Sequence, residues 1–181
     1  KNHCPSIGST NIGQTKKNDG AFKRYVDSSL EALTNVTIDK KIIIDCANGA
    51  FSSVKDNLLA FPFFETFNDS PDGYNINLNC GALDPVQILK RVRDVGADYG
   101  VGFDGDGDRA VFVCKDYGAI EAEKIAYLII KSIVTEGESF SVASSEIVNM
   151  SFKKMLQGLD GNLFEVEAGD RNVIEKTNEK G

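Results

Sequence analysis

The sequence lacks several patterns that would indicate a zinc protein, a membrane protein or a secreted protein. Its four cysteines include no closely spaced Cys-x-x-Cys pair, which argues against a structural zinc site. The longest apolar run, IAYLII, is far too short to span a bilayer, and the first residues contain no apolar signal-peptide core. The first residue is not an initiator methionine, so we expect the natural chain to begin earlier.

Positive charge is also scarce. The chain has 20 lysines and arginines against 27 aspartates and glutamates, which gives a formal net charge of −7. Proteins that bind nucleic acid usually present a basic surface, so we expect no nucleic-acid partner. An acidic chain can still bind a phosphorylated substrate where a metal ion or a few arginines reverse the local field.

The hydrophobic content of 41% is enough for an ordinary globular core. Cys46 and Cys114 lie in the strand-like runs IIIDC and VFVC, where a free thiol acts as a small hydrophobic side chain. We therefore expect reduced cysteines, a cytoplasmic location and no membrane partner.

Short apolar runs alternate with helical patterns along the chain. The predicted strands are KKIIID (Lys40–Asp45), FFETFN, DYGVGF, RAVFVC, FSVAS and NLFEVE. Such alternation predicts an α/β fold with a mixed, mostly parallel sheet and helices on both faces, in a three-layer αβα arrangement. We predict a domain boundary near Gly137, so that residues 1–137 form one domain and residues 138–181 begin a second, incomplete one.

Two segments between the predicted strands have strong helical signatures. In LDPVQILKRVRDVG, Asp84 is a suitable N-cap, Pro85 a suitable first residue and Gly96 a C-terminal stop. The predicted buried faces are Val86, Leu89 and Val92 in this helix, and Ile125, Leu128, Ile129 and Ile133 in the helix of AEKIAYLIIKSIV.

One predicted loop combines three aspartates with an arginine. In DYGVGFDGDGDRAVFV, the aspartates Asp104, Asp106 and Asp108 (the aspartate triad) alternate with glycines, and Arg109 follows them. Glycines let the backbone curl and aim the carboxylates at one point, and three like charges this close need a positive partner. Carboxylate oxygens select hard cations, so we predict that the triad binds Mg²⁺, which Mn²⁺ can replace. Arg109 is suited to hold a phosphate.

Two other motifs begin in a similar way but fit poorly. An EF-hand loop counted from Asp104 needs glycine at its sixth position and glutamate at its twelfth, where this chain has Arg109 and Lys115. A phosphatase of the haloacid dehalogenase type resembles D-x-D-x-[TV], and the fifth position here is Asp108. An acidic surface turn without any ligand is the remaining alternative to a metal site.

The segment DGDGDR resembles the metal-binding loop of the α-D-phosphohexomutases, the family of phosphoglucomutase, phosphomannomutase and phosphoglucosamine mutase. Other segments are similar in the same order, namely GQTKKNDGAFKRYVDSS, IIIDCANGA, PDGYNINLNCGALDP and AGDRNVIEKTNEKG. The last three favour the phosphoglucosamine branch. The resemblance covers the chain from about Ile12 to its end, and it implies the second domain and the start of the third domain of a four-domain enzyme.

The resemblance implies an activity and a set of roles. Such enzymes move a phosphoryl group between the 1- and 6-positions of a hexose, through a bisphosphorylated sugar and a phosphoserine of the first domain. The aspartate triad is then the Mg²⁺ site, Arg109 steadies the phosphoserine or the sugar phosphate, and Arg171 faces the active site. An ion pair with Glu175, one helical turn away, is the alternative role of Arg171.

The chain also departs from the family pattern. The serine motif A-S-H-N-P is absent, since the only histidine is His3, and the GEXSGH-type sugar-specificity loop is absent too. GALDP has Leu83-Asp84 where the phosphoglucosamine branch usually has Thr-His. We expect this chain alone to be inactive and to act on a phosphorylated hexose together with the remaining domains of the same enzyme. The alternatives are a stand-alone metal- or phosphosugar-binding module, an interaction domain without catalysis, and a Mg²⁺-dependent phosphatase.

Overall fold

The computed structural model describes residues 16, 18–31, 37–58, 61–134 and 139–180. The chain divides into two units, Lys1–Ile38 and Asp39–Gly181. In the first unit, the described element is helix α1 (Asp19–Glu31). The predicted domain boundary near Gly137 lies within residues 135–138, outside the described residues, and it stays a prediction.

The second unit contains the strands and the other helices. Its strands are β1 (Ile42–Asp45), β2 (Phe64–Phe67), β3 (Tyr99–Phe103), β4 (Ala110–Cys114), β5 (Gly118–Ile120), β6 (Phe140–Ser145) and β7 (Gly161–Val166). Its helices are α2 (Lys55–Leu58), α3 (Pro85–Asp94), α4 (Ala122–Ile133), α5 (Met150–Gln157) and α6 (Asp170–Lys180), with 3₁₀ segments at Ala50–Val54 and Gly81–Leu83.

Strands β1 to β5 form one sheet in the order β2-β1-β3-β4-β5. In it, β1 is parallel to β2 and β3, whereas β4 is antiparallel to both β3 and β5. Strands β6 and β7 pair in parallel as a second sheet. The predicted fold class, a mixed and mostly parallel α/β sheet with helices in a three-layer αβα arrangement, is confirmed.

Helix α3 begins and ends as the sequence predicts. The Asp84 carboxylate accepts a hydrogen bond from the backbone N–H of Gln87 at 3.4 Å, and Pro85 is the first helical residue. The chain leaves the helix at Gly96, whose φ of +68° is costly for most other residues. Both signals act over a few residues, so they can be recognised in the sequence.

The buried face of α3 differs from the prediction. Of the three predicted residues, Val92 is buried and Leu89 is partly buried against the core, but Val86 is 71% exposed. Ile88, which was not predicted, is buried with Ile43 and Val113. The buried face is centred on Ile88 and Val92 because these two side chains lie directly on β3. A Cβ on Gly100 of that strand would lie 2.7 Å from methyl carbons of both Ile88 and Val92.

The predicted buried face of α4 is largely wrong. Its residues Leu128, Ile129 and Ile133 are between 55% and 74% exposed. Helical periodicity shows which side of a helix is apolar, but it does not show whether another element covers that side. In the described structure α4 packs against α5.

Cys46, Cys80 and Cys114 are buried free thiols, as a small hydrophobic side chain would be. Burial raises the pKa of the Cys46 thiol to about 12, which keeps it protonated and unreactive. Within the described ranges, no helix has both the length and the apolar character needed to cross a membrane.

Candidate metal centre

The aspartate triad lies in the loop between β3 and β4, where the sheet changes from parallel to antiparallel pairing. This triad loop, residues 104–109, connects the paired strand residues Phe103 and Ala110. One carboxylate oxygen of each aspartate lies within 4.8 Å of the other two. The structure therefore brings the three predicted ligands together.

The three carboxylates lie in different environments. Asp104 is 1% exposed, whereas Asp106 and Asp108 are exposed. The backbone N–H of Arg109, followed by its guanidinium, holds the pKa of Asp104 below its usual range. The negative charge of Asp106 is the main reason why the pKa of Asp108 is raised. Like charges thus crowd the outer side of the loop, a strain that a bound cation would relieve.

Arg109 closes the triad loop onto its first aspartate. Its Nε donates to Asp104 Oδ2 at 2.6 Å, and its backbone N–H donates to Asp104 Oδ1 at 3.0 Å. In the reverse direction, the backbone N–H of Asp104 donates to the Arg109 carbonyl at 3.2 Å. The arginine side chain is 69% exposed, and its Nε lies 3.7 Å from Asp108 Oδ1. The predicted arginine is therefore at the site, where it partly neutralises the triad.

The donor set fits a hard divalent cation. All three side chains offer carboxylate oxygens, which Mg²⁺ and Mn²⁺ prefer to nitrogen or sulfur. With Mg–O distances of ~2.1 Å, neighbouring oxygens of an octahedral Mg²⁺ are ~3.0 Å apart and opposite ones ~4.2 Å, so oxygens that already lie within 4.8 Å of one another would have to approach by no more than ~2 Å. Three protein ligands leave positions open for water or phosphate oxygen. The triad could therefore hold a metal ion.

The turn after β1 supports the triad loop through backbone contacts. Gly49 faces Gly105 so closely that a Cβ on Gly49 would lie 2.3 Å from the Gly105 carbonyl oxygen. The backbone N–H of Ala50 donates to the same oxygen at 2.8 Å. Any side chain at position 49 would therefore push on the loop.

Ile76 and Asn77 also contact the triad loop. A Cβ on Gly105 would lie 2.6 Å from Ile76 Cδ1 and 2.8 Å from Asn77 Nδ2. Nearby, the rings of Phe51 and Phe103 stack with centroids 3.8 Å apart and planes inclined by 14°. The base of the loop is thus enclosed by packed side chains.

Asp45 is the residue of this region that sequence reasoning missed. It is the last residue of β1 and is completely buried, and burial raises the pKa of its carboxyl group. Its carboxylate accepts hydrogen bonds from the backbone N–H groups of Ala47 and Gly81 and from the Asn68 amide. The available signal was an aspartate at the end of an apolar strand, because a buried charge requires several polar partners.

Arg171 lies in the first turn of α6, after the two-stranded sheet. Its Nε donates to Glu175 Oε1 at 2.7 Å, and its side chain is 88% exposed. This contact is the helical ion pair that the sequence offered as the alternative. The active-site role of Arg171 stays a prediction.

Comparison with known proteins identifies relatives by sequence. No protein-family model matches the chain. The phosphoglucosamine mutase of Ruthia magnifica subsp. Calyptogena magnifica is 30% identical over 97% of this chain and 41% of its own length. The phosphoglucosamine mutase of Rhizobium meliloti (strain 1021) is 33% identical over 94% of this chain and 39% of its own length. The phosphoglucosamine mutase of Limosilactobacillus reuteri is 36% identical over 88% of this chain and 35% of its own length.

Solved structures share the fold. A phosphoglucomutase/phosphomannomutase family protein from Burkholderia thailandensis matches with a TM-score of 0.66 at 20% identity, over 87% of this chain and 35% of that one. An N-acetylglucosamine-phosphate mutase of the α-D-phosphohexomutase superfamily matches with a TM-score of 0.61 at 16% identity, over 87% of this chain and 39% of that one. The chain thus spans about two fifths of the length of the curated relatives it matches. By sequence, this chain is a partial-length homologue of proteins named phosphoglucosamine mutase, and it shares its fold with members of the α-D-phosphohexomutase superfamily.

Proposed function

We propose that this chain is the metal-binding segment of a phosphohexomutase that interconverts a hexose 6-phosphate and a hexose 1-phosphate, with glucosamine phosphate as the substrate. The observation that carries the proposal is the convergence of the aspartate triad in one loop of a chain homologous to phosphoglucosamine mutases. Because the chain matches only part of those relatives, the remaining domains of the enzyme supply the other half of the site in this proposal. Free, buried cysteines fit a cytoplasmic enzyme.

In this proposal the aspartate triad holds Mg²⁺, and Mn²⁺ can replace it. When bound, the cation supplies positive charge at which a phosphate oxygen is held and its developing charge neutralised. Asp104 is buried and fixed by two hydrogen bonds from Arg109, so it forms the rigid inner side of the site. The exposed Asp106 and Asp108 provide oxygens that can adjust as the site fills.

Arg109 orients the phosphoryl group in the proposed reaction. Its planar guanidinium presents several N–H donors in the geometry that phosphate oxygens accept. The bond from its Nε to Asp104 holds the arginine beside the triad, so the metal site and the phosphate site are positioned together. Phosphoryl transfer mainly needs such positioning and neutralisation of charge. The resemblance to the family implies that a phosphoserine of another domain donates the phosphoryl group to the sugar and later recovers one from the bisphosphorylated sugar.

The substitution Asp106→Asn tests the metal site directly. It removes one exposed carboxylate ligand and its charge without opening a cavity in the core. We expect the variant to bind Mn²⁺ at least about tenfold more weakly than the unchanged chain in isothermal titration calorimetry, because even groups that only support metal ligands have effects of this size.

Asp116→Asn is the matched control for this experiment. Asp116 is an exposed aspartate in the turn between β4 and β5, so its substitution makes the same change in net charge outside the triad loop. We expect this control to bind Mn²⁺ as the unchanged chain does. Equal binding by the Asp106→Asn variant and the control would contradict the proposed metal site.

A further inference from the structure

The buried carboxylate of Asp45 is hydrogen-bonded to turns that lie against the triad loop. Its exposed fraction is 0%, and it is the last residue of β1, the strand paired with β3. Its described hydrogen bonds come from three different segments, at Ala47, Asn68 and Gly81. The turns that contain Ala47 and Gly81 contact residues on either side of Asp104, and Asn68 is hydrogen-bonded to the first of these turns.

The first turn contacts the residue that follows Asp104. Asp45 Oδ1 accepts a hydrogen bond from the Ala47 backbone N–H at 2.9 Å. Ala47 has a φ of +54° in this turn, and a non-glycine residue keeps such a conformation only where its surroundings hold it. Two residues later, Gly49 lies against the carbonyl of Gly105. The hydrogen bond that Ala47 donates to Asp45 therefore supports the turn on which the loop rests.

The second turn contacts the residue that precedes Asp104. Asp45 Oδ2 accepts a hydrogen bond from the Gly81 backbone N–H at 2.8 Å. Gly81 has a φ of +71°, and a Cβ there would lie 2.3 Å from the carbonyl oxygen of Phe103 and 2.5 Å from the Cβ of Ala47. This turn thus meets both the last residue of β3, directly before the triad loop, and the first turn.

Asn68 connects the Asp45 carboxylate to the backbone of the first turn. Its Nδ2 donates to Asp45 Oδ2 at 3.2 Å, and its carbonyl accepts a hydrogen bond from the Asn48 backbone N–H at 2.6 Å. Three N–H donors therefore converge on a single side chain. A carboxylate suits this position because both of its oxygens only accept hydrogen bonds.

We propose that Asp45 is a positioning residue for the metal site: by holding the turns against Phe103 and Gly105, on either side of Asp104, its carboxylate sets the spacing of the aspartate triad. It acts through the backbone of the loop and does not itself bind the metal. The inference rests on the proposed function, because it requires that the triad binds a cation.

Asp45→Asn is the substitution that tests this role. It hardly changes the side-chain volume, but it turns an amide N–H₂ toward at least one N–H donor and leaves both groups unpaired in a buried site. We expect the folded variant to bind Mn²⁺ about tenfold more weakly, as for other supporting groups of metal ligands. We also expect a changed line shape in the electron paramagnetic resonance spectrum of the bound ion, which a general loss of stability would not produce.

Asp98→Asn is the control for a merely structural effect. Asp98 lies directly before the first residue of β3, at the end of the strand away from the triad loop. Like Asp45, it accepts hydrogen bonds, from the Lys41 backbone N–H at 3.1 Å and from Lys115 Nζ at 2.8 Å. We expect this variant to have a lower Tm but unchanged Mn²⁺ affinity and an unchanged spectrum. Binding is measured well below the Tm of each variant, so that only folded protein is compared.

Asn68→Gly is a milder variant that decides the matter if Asp45→Asn does not fold. Glycine accepts the φ of +49° found at Asn68, and the substitution removes one of the three donors to Asp45. We expect a smaller loss of Mn²⁺ affinity in the same direction.

Two results would overturn the inference while leaving the metal site intact. One is unchanged Mn²⁺ affinity in folded Asp45→Asn or, if that variant does not fold, in folded Asn68→Gly. The other is a loss in Asp98→Asn equal to that in Asp45→Asn. If Mn²⁺ does not bind the unchanged chain, or if Asp106→Asn binds it equally well, the metal site itself fails and the positioning role fails with it.

Discussion

Arg109 places a permanent positive charge 2.6 Å from one oxygen of Asp104. A divalent cation that enters the aspartate triad is repelled by this charge, although it is attracted by the three carboxylates. A phosphate group bound between the arginine and the metal would offset this repulsion, because the phosphate attracts both. We therefore predict that Arg109 weakens metal binding as long as phosphate is absent.

Arg109→Ala should consequently strengthen Mn²⁺ binding to the isolated chain, in contrast to Asp106→Asn. The guanidinium is largely exposed, so we expect an effect of only about two- to fivefold at low salt. The effect should shrink as added salt screens the charge, which titrations at two ionic strengths would measure. Arg109→Lys keeps the charge and should bind Mn²⁺ almost as the unchanged chain does. Weaker binding by Arg109→Ala would show that the arginine stabilises Asp104 more than it repels the metal.

The distance along the chain between interacting residues explains which residues of the site could be predicted from the sequence. The triad and Arg109 lie within six consecutive residues, so their chemistry is visible in a short motif. The donors to Asp45 lie 2, 23 and 36 positions away in the chain. A cluster of that kind exists only after folding, and periodicity or spacing cannot reveal it.

At the scale of elements, the glycines of β3 determine how α3 lies on the sheet. A Cβ on Gly100 would lie 2.7 Å from methyl carbons of Ile88 and Val92, and 2.8 Å from one of Val113. These are branched side chains in a closely packed core and cannot easily move aside. The helix approaches the sheet this closely because no side chain separates them at Gly100.

Gly100→Ala should therefore destabilise the protein. Overpacking of a core by one methyl group typically costs ~1–3 kcal/mol of unfolding free energy, which urea denaturation would measure. Gly158→Ala is the control, because Gly158 has an ordinary helical φ of −68° and a Cβ there would meet its neighbours at 3.5 Å. The control should keep or slightly raise the stability. Equal stability of the two variants would show that the core yields at Gly100.

The helices also show where prediction from sequence ended. The bounds of α3 follow from Asp84, Pro85 and Gly96, which act locally. Its buried face depends on the glycines of a strand that follows it in the chain, so helical periodicity misplaced Val86. For α4, the pattern identified the helix correctly but could not show that Leu128 and Ile133 are exposed in the described structure.

At the scale of the whole molecule, the alternation of strands and helices predicted the fold class but not the order of the strands. The position of β1 between β2 and β3 depends on pairing between strands that are distant in the chain, which a one-dimensional pattern does not specify.

The purified chain should not turn over a hexose phosphate. It matches 35–41% of the length of the relatives compared, and its sequence lacks the family's A-S-H-N-P motif. A coupled assay would use glucosamine 6-phosphate, Mg²⁺ and a hexose bisphosphate primer, with a full-length phosphoglucosamine mutase as the positive control. Turnover by the chain alone would contradict the proposal that other domains complete the site.

The hairpin that carries the aspartate triad also fixes the length of its loop. Phe103 pairs with Ala110 and Gly100 with Val113, so residues 104–109 make one reversal of the chain between strands in register. Side chains alternate between the two faces of a strand, so inserting or deleting one residue would shift β4 by one position and turn Val113 out of the core. The register of the hairpin is therefore fixed by the hydrophobic core, and the core sets the number of residues in the triad loop whether or not a ligand is bound.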